Sequence, residues 1–268
     1  MPFIIMSAPN GARRGKQDHP ALPITPAELA ECAEQIVEAG AAMIHLHVRD
    51  ESGRHSLDPD RYRQAIAAIR ERVGEQLIIQ VTTEACSIYT PQQQMSVVRQ
   101  LRPEAVTLAL KELCPDAAAE KSAAAFFTWL DDEDVMAQYI LYSDEDVVRF
   151  TDLRTRGVIP DAWPFVLLVL GRYSDSLTGD PSLIDGYVRG LEQDVAWMVC
   201  CFGETESAAV AEAARLHGHA RVGFENNLLL PDGSPAPDNA ALIRVAAETA
   251  RTSARRVANA DDVREMLA

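Results

Sequence analysis

Positive charge is scarce in this chain of 268 residues, which contains 25 lysine and arginine residues, 40 aspartate and glutamate residues and a formal net charge of -15. This balance argues against general binding to nucleic acids or anionic membranes, because both require basic surfaces. We therefore expect no nucleic-acid partner and no membrane partner. An anionic small molecule would need a local cluster of cationic side chains.

Cysteine patterns and long apolar runs are also missing. The five cysteines include no C-x-x-C pair and no disulfide framework, so we interpret them as reduced thiols. Residues 1–6 lack the charged start and apolar core of a secretory signal, and no apolar run approaches the length of about 20 residues that spans a bilayer. These absences predict a cytoplasmic protein.

No linker rich in proline, glycine or serine divides the chain, so residues 1–268 are predicted to form a single domain. An apolar, β-branched run followed by an amphipathic helical pattern recurs about eight times. This recurrence predicts an α/β fold, a (β/α)8 TIM barrel with a parallel sheet. The predicted strands cover residues 3–8, 42–48, 77–82, 105–109, 138–142, 164–169, 195–201 and 220–224. The predicted helices cover residues 26–39, 59–73, 91–102, 117–130, 144–157, 180–192, 204–216 and 238–252.

The second predicted strand carries two histidines. Because side chains alternate along a strand, His45, His47 and Arg49 share one face. Two imidazoles on one face can bind the same metal ion, although a hydrogen-bonded pair of core histidines is the alternative. The same alternation on the eighth strand places Arg221 and Glu225 on one face.

Active sites of such barrels lie at the C-terminal ends of the strands. Two histidines and one glutamate that leave a coordination position open are the ligand set of a catalytic zinc site. The sequence therefore predicts a metal site made by His45, His47 and Glu225. Polar side chains at the ends of the third and fourth strands would line the same mouth, namely Gln80, Thr82, Glu84 and Thr107.

The loop after the first strand, residues 8–16, combines glycine with the cations Arg13, Arg14 and Lys16. Such a loop could hold a phosphate or carboxylate group, and a solvated basic loop is the alternative. Four histidines elsewhere are interpreted as surface or helix-end residues, and two tryptophans as core or interface residues. These are His19, His55, His217 and His219, and Trp163 and Trp197.

Several motifs together resemble the β-keto acid cleavage enzyme family over nearly the whole chain. They are residues 22–26 with Glu28, residues 39–41, 45–50, 78–80, 102–104 and 221–225. The resemblance implies a zinc-dependent (β/α)8 barrel, usually a homo-oligomer such as a dimer or tetramer, with another divalent metal also possible. It implies a reaction between a β-keto acid and acetyl-CoA, which gives acetoacetate and a new acyl-CoA.

The resemblance also assigns residues. His45, His47 and Glu225 match the zinc ligands, and Arg221 matches the catalytic arginine. Substrate contacts are expected from Arg13, Arg49, Thr82, Ala85 and Thr107, and contacts with acetyl-CoA from Arg14 and Arg172.

This chain departs from the family pattern at the proton-transferring group. Asn226 occupies the position of an aspartate that pairs with the arginine, and an amide cannot act as a general base. We therefore hypothesise that Glu84 takes the proton, with a water molecule positioned by Asn226 and Arg221 as the alternative.

Other departures concern the substrate. Arg13 aligns with a carboxylate that binds a substrate amine, Ala85 with a glycine, and Ile140 with an acidic residue. Residues 171–174, including Arg172, replace a glycine-rich turn. A neutral or anionic β-keto acid fits these changes better than an aminated one. Two other classes stay open: a metal-dependent barrel reaction of aldolase or hydrolytic type without CoA, and a non-catalytic metabolite binder.

Overall fold

Eight parallel strands close into a barrel in the computed structural model, which describes residues 1–160 and 164–267. In order around the barrel the strands are β1 (Ile5–Ser7), β2 (Met43–Leu46), β5 (Ile78–Val81), β6 (Ala105–Ala109), β7 (Met136–Leu141), β8 (Phe165–Leu170), β9 (Ala196–Cys201) and β10 (His219–Val222). β10 pairs with β1 and completes the circle. The predicted TIM barrel is confirmed.

Helices cover the outside of this barrel. They are α1 (Pro26–Ala39), α2 (Pro59–Val73), α3 (Pro91–Leu101), α4 (Leu110–Leu113), α5 (Ala117–Asp132), α6 (Asp144–Thr155), α7 (Ile184–Arg189), α8 (Glu206–Arg215), α9 (Asn239–Thr252) and α10 (Ala260–Met266). Among the described helices, none is long and apolar enough to cross a membrane.

The prediction missed or misjudged several short elements. The predicted strand 42–48 stops at Leu46, and the chain continues as a hairpin of β3 (Val48–Arg49) and β4 (His55–Ser56). The predicted helix 180–192 is a 3₁₀ turn, Pro181–Leu183, followed by the short α7. The helices α4 and α10 were not predicted. Each of these elements is shorter than the stretch over which apolar periodicity can be recognised, about 11 residues for a helix and about 4 for a strand.

Thr25 and Glu28 illustrate how the sequence determines a helix start. The Thr25 hydroxyl accepts a hydrogen bond from the Glu28 amide at 3.3 Å, and the Glu28 carboxylate accepts one from the Thr25 amide at 2.9 Å. This reciprocal capping satisfies two amides that the first turn leaves without partners. α1 therefore begins at Pro26, where the predicted helix also begins.

Side chains inside the barrel change from apolar to polar along the strands. Near the N-terminal ends, Met43, Phe165 and Met198 belong to one fully buried apolar cluster. Two residues further along β2, His45 begins the polar layer. Outward-facing residues such as Ile44 and Leu108 belong to the larger core beneath the helices. This alternation places His45 and the polar side chains that follow it at the C-terminal end of the barrel.

Two of the histidine predictions were wrong. His219 is fully buried at the start of β10, where its Nδ1 accepts a hydrogen bond from the Ile4 amide at 3.1 Å. His55 is also buried, because the unpredicted hairpin folds it against the barrel mouth. Trp197 is buried as expected, whereas Trp163 lies outside the described residues.

Arg255 joins the two ends of the chain below the contact between β1 and β10. Its guanidinium donates hydrogen bonds to the carbonyls of Gly218 at 2.6 Å and Pro2 at 3.1 Å, and it lies 4.8 Å from the ring centroid of Phe3. The residue is 8% exposed. Hydrogen bonds from a buried cation to carbonyl groups are stronger than neutral ones. Arg255 thus stabilises the closure of the barrel.

We expect Arg255→Met, which keeps the aliphatic stem but removes the donors, to lower the free energy of unfolding by about 2 kcal/mol or more. Guanidinium unfolding monitored by circular dichroism measures the change. Arg251→Met removes an exposed cation that pairs with Glu248 and should cost about 0.5 kcal/mol or less. Equal losses in both variants would contradict the role of Arg255.

Candidate active site

Three potential metal ligands meet at the C-terminal end of the barrel. The Nε2 atoms of His45 and His47 lie 3.1 Å apart, and Glu225 Oε2 lies 3.8 Å and 3.5 Å from them, respectively. A tetrahedral ion with bonds of about 2.0–2.1 Å separates its ligand atoms by about 3.3 Å. The three predicted ligands are therefore brought together at a separation that suits a divalent metal ion.

A chain of hydrogen bonds orients His45. Its Nδ1 lies 2.9 Å from Gln80 Oε1, and Gln80 Nε2 donates to Gln138 Oε1 at 3.1 Å. Because the Gln80 amide uses its N–H on Gln138, its oxygen accepts from His45 Nδ1–H. This leaves the lone pair on Nε2, which faces the site, as expected for a histidine that binds metal. Gln138 was not predicted, although the alternation along β7 could have indicated it.

Both histidines are neutral at physiological pH, which favours metal binding. Burial and the nearby Arg221 lower the pKa of His45 to about 4. Burial and the neighbouring His45 place the pKa of His47 well below its usual range. Both rings are therefore neutral at physiological pH and can donate a lone pair. Burial opposes the charge of Glu225, yet Arg221 and His45 lower its pKa overall, so this ligand is anionic.

Arg221 lies beside the cluster of His45, His47 and Glu225 and has unused hydrogen-bond donors. Its Nη2 is 3.4 Å from Glu225 Oε1 and 3.3 Å from Cys200 Sγ. Its Nε and Nη1 atoms have no hydrogen-bond partner among the described residues, although the side chain is only 4% exposed. A buried cation with unpaired donors is costly unless a ligand completes its contacts. Arg221 is thus placed to bind an anionic group.

Other buried polar atoms without a described partner occur at the same end of the barrel. They are His47 Nδ1, Thr107 Oγ1, Glu225 Oε2 and Asn226 Oδ1. A metal ion would satisfy Glu225 Oε2, and a polar substrate would satisfy groups such as the Thr107 hydroxyl. The residues present therefore fit a bound metal, and their donor set of two imidazoles and one carboxylate is one that zinc prefers.

The turn that carries Glu225 depends on Gly223. Gly223 has φ +139°, and a Cβ at this position would lie 2.5 Å from the carbonyl oxygen of Ala8. The close approach lets the Glu225 amide donate to that carbonyl at 3.0 Å. The hydrogen bond ties the end of β10 to the end of β1 and holds the glutamate over the barrel axis.

Three side chains brace this turn. Arg14 donates to the carbonyl of Phe224 at 2.6 Å, and Asn239 Oδ1 accepts from the Phe224 amide at 2.9 Å. Buried Glu206 accepts from the Gly223 amide at 3.3 Å and from Asn227 Nδ2 at 3.1 Å. Burial raises the pKa of Glu206 to about 8. Arg14 therefore has a bracing contact in addition to the expected contact with acetyl-CoA, and Glu206 and Asn239 were not predicted.

Arg49 has a similar bracing role. Its guanidinium donates to the carbonyls of Gly11, Asn10 and Arg14. The distance from Nε to the Gly11 oxygen and the distance from Nη2 to the Arg14 oxygen are both 3.0 Å. It also donates to Gly53 at 2.9 Å. These bonds hold the loop after β1 against the hairpin, so most Arg49 donors are already used.

Glu84 lies at the mouth between two arginines. Its Oε1 is 2.6 Å from Arg13 Nη1 and 3.7 Å from Arg172 Nη2. Burial raises the pKa of Glu84, but His47 and Arg13 lower it overall, so the carboxylate is charged. Thr82 Oγ1 accepts from the Glu84 amide at 3.1 Å and so positions the residue.

The remaining predicted residues occupy supporting positions. Asn226 is fully buried, and its Nδ2 donates to the backbone carbonyl of Arg221 at 3.4 Å. The Ala85 amide donates to Glu112 at 3.1 Å in the loop after β5. His55 packs beside His47, with 5.4 Å between the ring centroids, and its Nε2 lies 2.8 Å from the carbonyl of Glu84.

Fold and donor set together define a TIM-barrel protein with a candidate metal site at the catalytic end of its strands. A family model described as beta-keto acid cleavage enzyme matches residues 2–268. The chain therefore belongs to the β-keto acid cleavage enzyme family and is an acyl-transferring enzyme.

Curated relatives of the chain act on different β-keto acids. One is the 3-keto-5-aminohexanoate cleavage enzyme of Fusobacterium nucleatum subsp. nucleatum, which is 28% identical over 99% of this chain and 97% of its own length. Another is the 3-oxoadipate:acetyl-CoA acetyltransferase of Cupriavidus necator, which is 28% identical over 99% of this chain and 94% of its own length.

A solved structure shares the fold. It is a ternary complex of ObcA with a C4-CoA adduct and oxalate, with a TM-score of 0.72 and 18% identity. The match covers 92% of this chain and 67% of the ObcA chain. At this identity the similarity supports the barrel architecture alone.

Gly11 provides a test of Glu225 as a metal ligand. Gly11 has φ +58°, and a Cβ there would lie 2.5 Å from Glu225 Cγ. We expect Gly11→Ala to displace the carboxylate and weaken zinc binding by about tenfold or more, measured by competition with a chromophoric chelator.

The matched control is Gly53→Ala. Gly53 has φ +76°, but nothing lies within 4 Å of its added Cβ. This variant carries a similar backbone cost without the clash. Equal zinc affinity in folded Gly11→Ala and Gly53→Ala proteins would contradict the assignment of Glu225.

Proposed function

We propose that this enzyme condenses a β-keto acid with acetyl-CoA in a metal-dependent reaction that yields acetoacetate and a new acyl-CoA. The observation that carries the proposal is the pairing of buried, donor-rich Arg221 with the His45, His47 and Glu225 cluster. A β-keto acid presents a carboxylate and a carbonyl oxygen close together, and these oxygens match a cation adjacent to a metal site. Family membership and the acetyl-CoA named for one relative support the same reaction.

His45, His47 and Glu225 would hold the metal, which we propose to be Zn²⁺, with another divalent ion compatible with the same ligands. When bound, the ion supplies Lewis-acid polarisation of substrate oxygens. The protein residues bind and orient the substrate around it. Arg221 donates N–H groups to the developing negative charge, and the Thr107 hydroxyl is available for another substrate oxygen.

Proton transfer is the step for which this chain differs from its family. We propose Glu84 as the proton acceptor, because it is an ionised carboxylate at the mouth that Thr82 and Arg13 orient. Asn226 cannot accept the proton. Its hydrogen bond to the Arg221 carbonyl supports a positioning role, and a water held by Asn226 and Arg221 is the competing acceptor.

The remaining substrate contacts are proposals as well. We retain Arg13, Arg49 and Ala85 as proposed substrate contacts and Arg14 as a proposed contact for acetyl-CoA. The free cysteines fit a reducing, cytoplasmic environment. Homo-oligomeric assembly, as a dimer or tetramer, is retained as a proposal from the resemblance.

The reaction can be tested by mass spectrometry of zinc-loaded protein incubated with acetyl-CoA and a panel of β-keto acids. We expect acetoacetate together with the acyl-CoA that corresponds to the consumed acid. Arg221→Gln should lower kcat by about a hundredfold, because it removes charge stabilisation at the reacting oxygens. Consumption of the keto acid without any CoA compound would indicate an aldolase-type or hydrolytic reaction instead. No product from any acid, with metal confirmed, would contradict the proposed function.

The proton acceptor needs a separate test. We expect Glu84→Gln to lower kcat by about a hundredfold, whereas Glu51→Gln, which changes an exposed carboxylate paired with Arg61, should change it little. Asn226→Asp should retain zinc and raise kcat if the amide limits the reaction. Full turnover by Glu84→Gln would show that Glu84 does not accept the proton.

A further inference from the structure

We propose that the β-keto acid carries a second carboxylate, and that Arg172 binds this distal group. The substrate class is thus a short β-keto dicarboxylic acid. This inference rests on the proposed function, because it concerns the same site. It is argued from the cations around the cavity and from the contacts that each of them already makes.

Arg172 borders a cavity of about 130 Å³ that also reaches Glu225, Gly11 and Phe202. Its side chain is 18% exposed. The guanidinium carbon lies 5.6 Å from the ring centroid of Tyr173 and 5.7 Å from that of Phe202. Aromatic neighbours at this distance stabilise a cation without using its hydrogen-bond donors. Arg172 is therefore a mostly buried cation beside the candidate metal site.

The other cations of the mouth already have close partners. Arg13 is paired with Glu84 at 2.6 Å, and Arg14 donates to the Phe224 carbonyl at 2.6 Å. Arg49 donates to four backbone carbonyls. Lys111 differs from Arg172 in position, because it is not among the residues that line the cavity; its ammonium lies 3.4 Å and 4.0 Å from the ring centroids of Tyr173 and Tyr142.

The contact of Arg172 with Glu84 is much looser. The 3.7 Å separation between Arg172 Nη2 and Glu84 Oε1 exceeds hydrogen-bond distance. The same oxygen makes the short contact with Arg13, so Arg13 neutralises Glu84. Arg13, Arg172 and Glu84 together therefore carry one net positive charge. Arg172 can therefore form a bidentate pair with a carboxylate from the substrate.

Position and size distinguish a substrate carboxylate from a CoA phosphate. The pantetheine arm separates the phosphates of acetyl-CoA from its thioester, so phosphates cannot occupy the cavity at Glu225 while the thioester reacts there. The cavity of about 130 Å³ is lined by both Glu225 and Arg172. A short acid whose β-keto acid end lies at the metal ligands can therefore extend through this cavity towards Arg172.

The sharpest test compares 3-oxoadipate with 3-oxohexanoate, which differ only in a terminal carboxylate or methyl group. We expect kcat/KM for the diacid to exceed that for the monoacid by about tenfold or more. Arg172→Gln should reduce this ratio towards one and raise the KM for the diacid more than the KM for acetyl-CoA. Lys111→Gln removes another cation of the mouth and should preserve the ratio.

Isothermal titration of both acids without CoA provides a readout that does not require turnover. Tighter binding of the diacid to wild-type protein, lost in Arg172→Gln, is the expected result. Equal binding of the two acids, or an effect of Arg172→Gln confined to the KM for acetyl-CoA, would overturn the inference while leaving the proposed reaction intact. Preferential binding of the diacid without product formation would instead support the subsite and count against the reaction.

Discussion

The pairing of β1 with β10 is the interaction on which the site depends. It closes the barrel and brings the loop after β1 beside the turn that carries Glu225. The Ala8 carbonyl accepts the Glu225 amide, and Gly223 permits this approach. His45 comes from β2, on the other side of β1, and so reaches the same point. The metal-ligand cluster is thus a consequence of closure and belongs to no single segment.

Some arginines that the sequence predicts as ligand contacts instead donate hydrogen bonds to backbone carbonyls at the barrel mouth. Arg14 lies after β1 and donates to a carbonyl of the turn after β10, while Arg49 lies after β2 and donates to carbonyls of the loop after β1. Loops at a barrel mouth lack regular hydrogen-bond partners, so side chains have to supply them. These bonds brace the mouth and hold Glu225 close to the two histidines.

Local alternation predicts the components of the site but not their contacts. Side chains on one face of a strand recur every two residues. This period identifies His45 with His47, and Arg221 with Glu225, because each pair lies on one strand or its extension. Distances between strands depend on the barrel, so the arrangement of Glu225 with the histidines follows only from the recurring β/α pattern. The burial of His55 and His219 was not predicted. The burial of His55 depends on a hairpin with strands of only two residues, and that of His219 depends on contacts at the N-terminal end of the barrel. Hydrogen bonds to backbone carbonyls, such as those of Arg49, leave no pattern in the sequence.

The charge distribution links the fold to the choice of ligand. The net charge of -15 repels anions at long range, although screening limits this repulsion to about 10 Å at ordinary ionic strength. Within the mouth, the buried ring of Phe202 lowers the local dielectric beside Arg172, and buried Arg221 adds a second cation beside the candidate metal ligands. An acid that reaches the mouth therefore meets positive charge at two separate positions. Selectivity among acids then depends on whether one molecule can occupy both, which is a property of its length and its second charge.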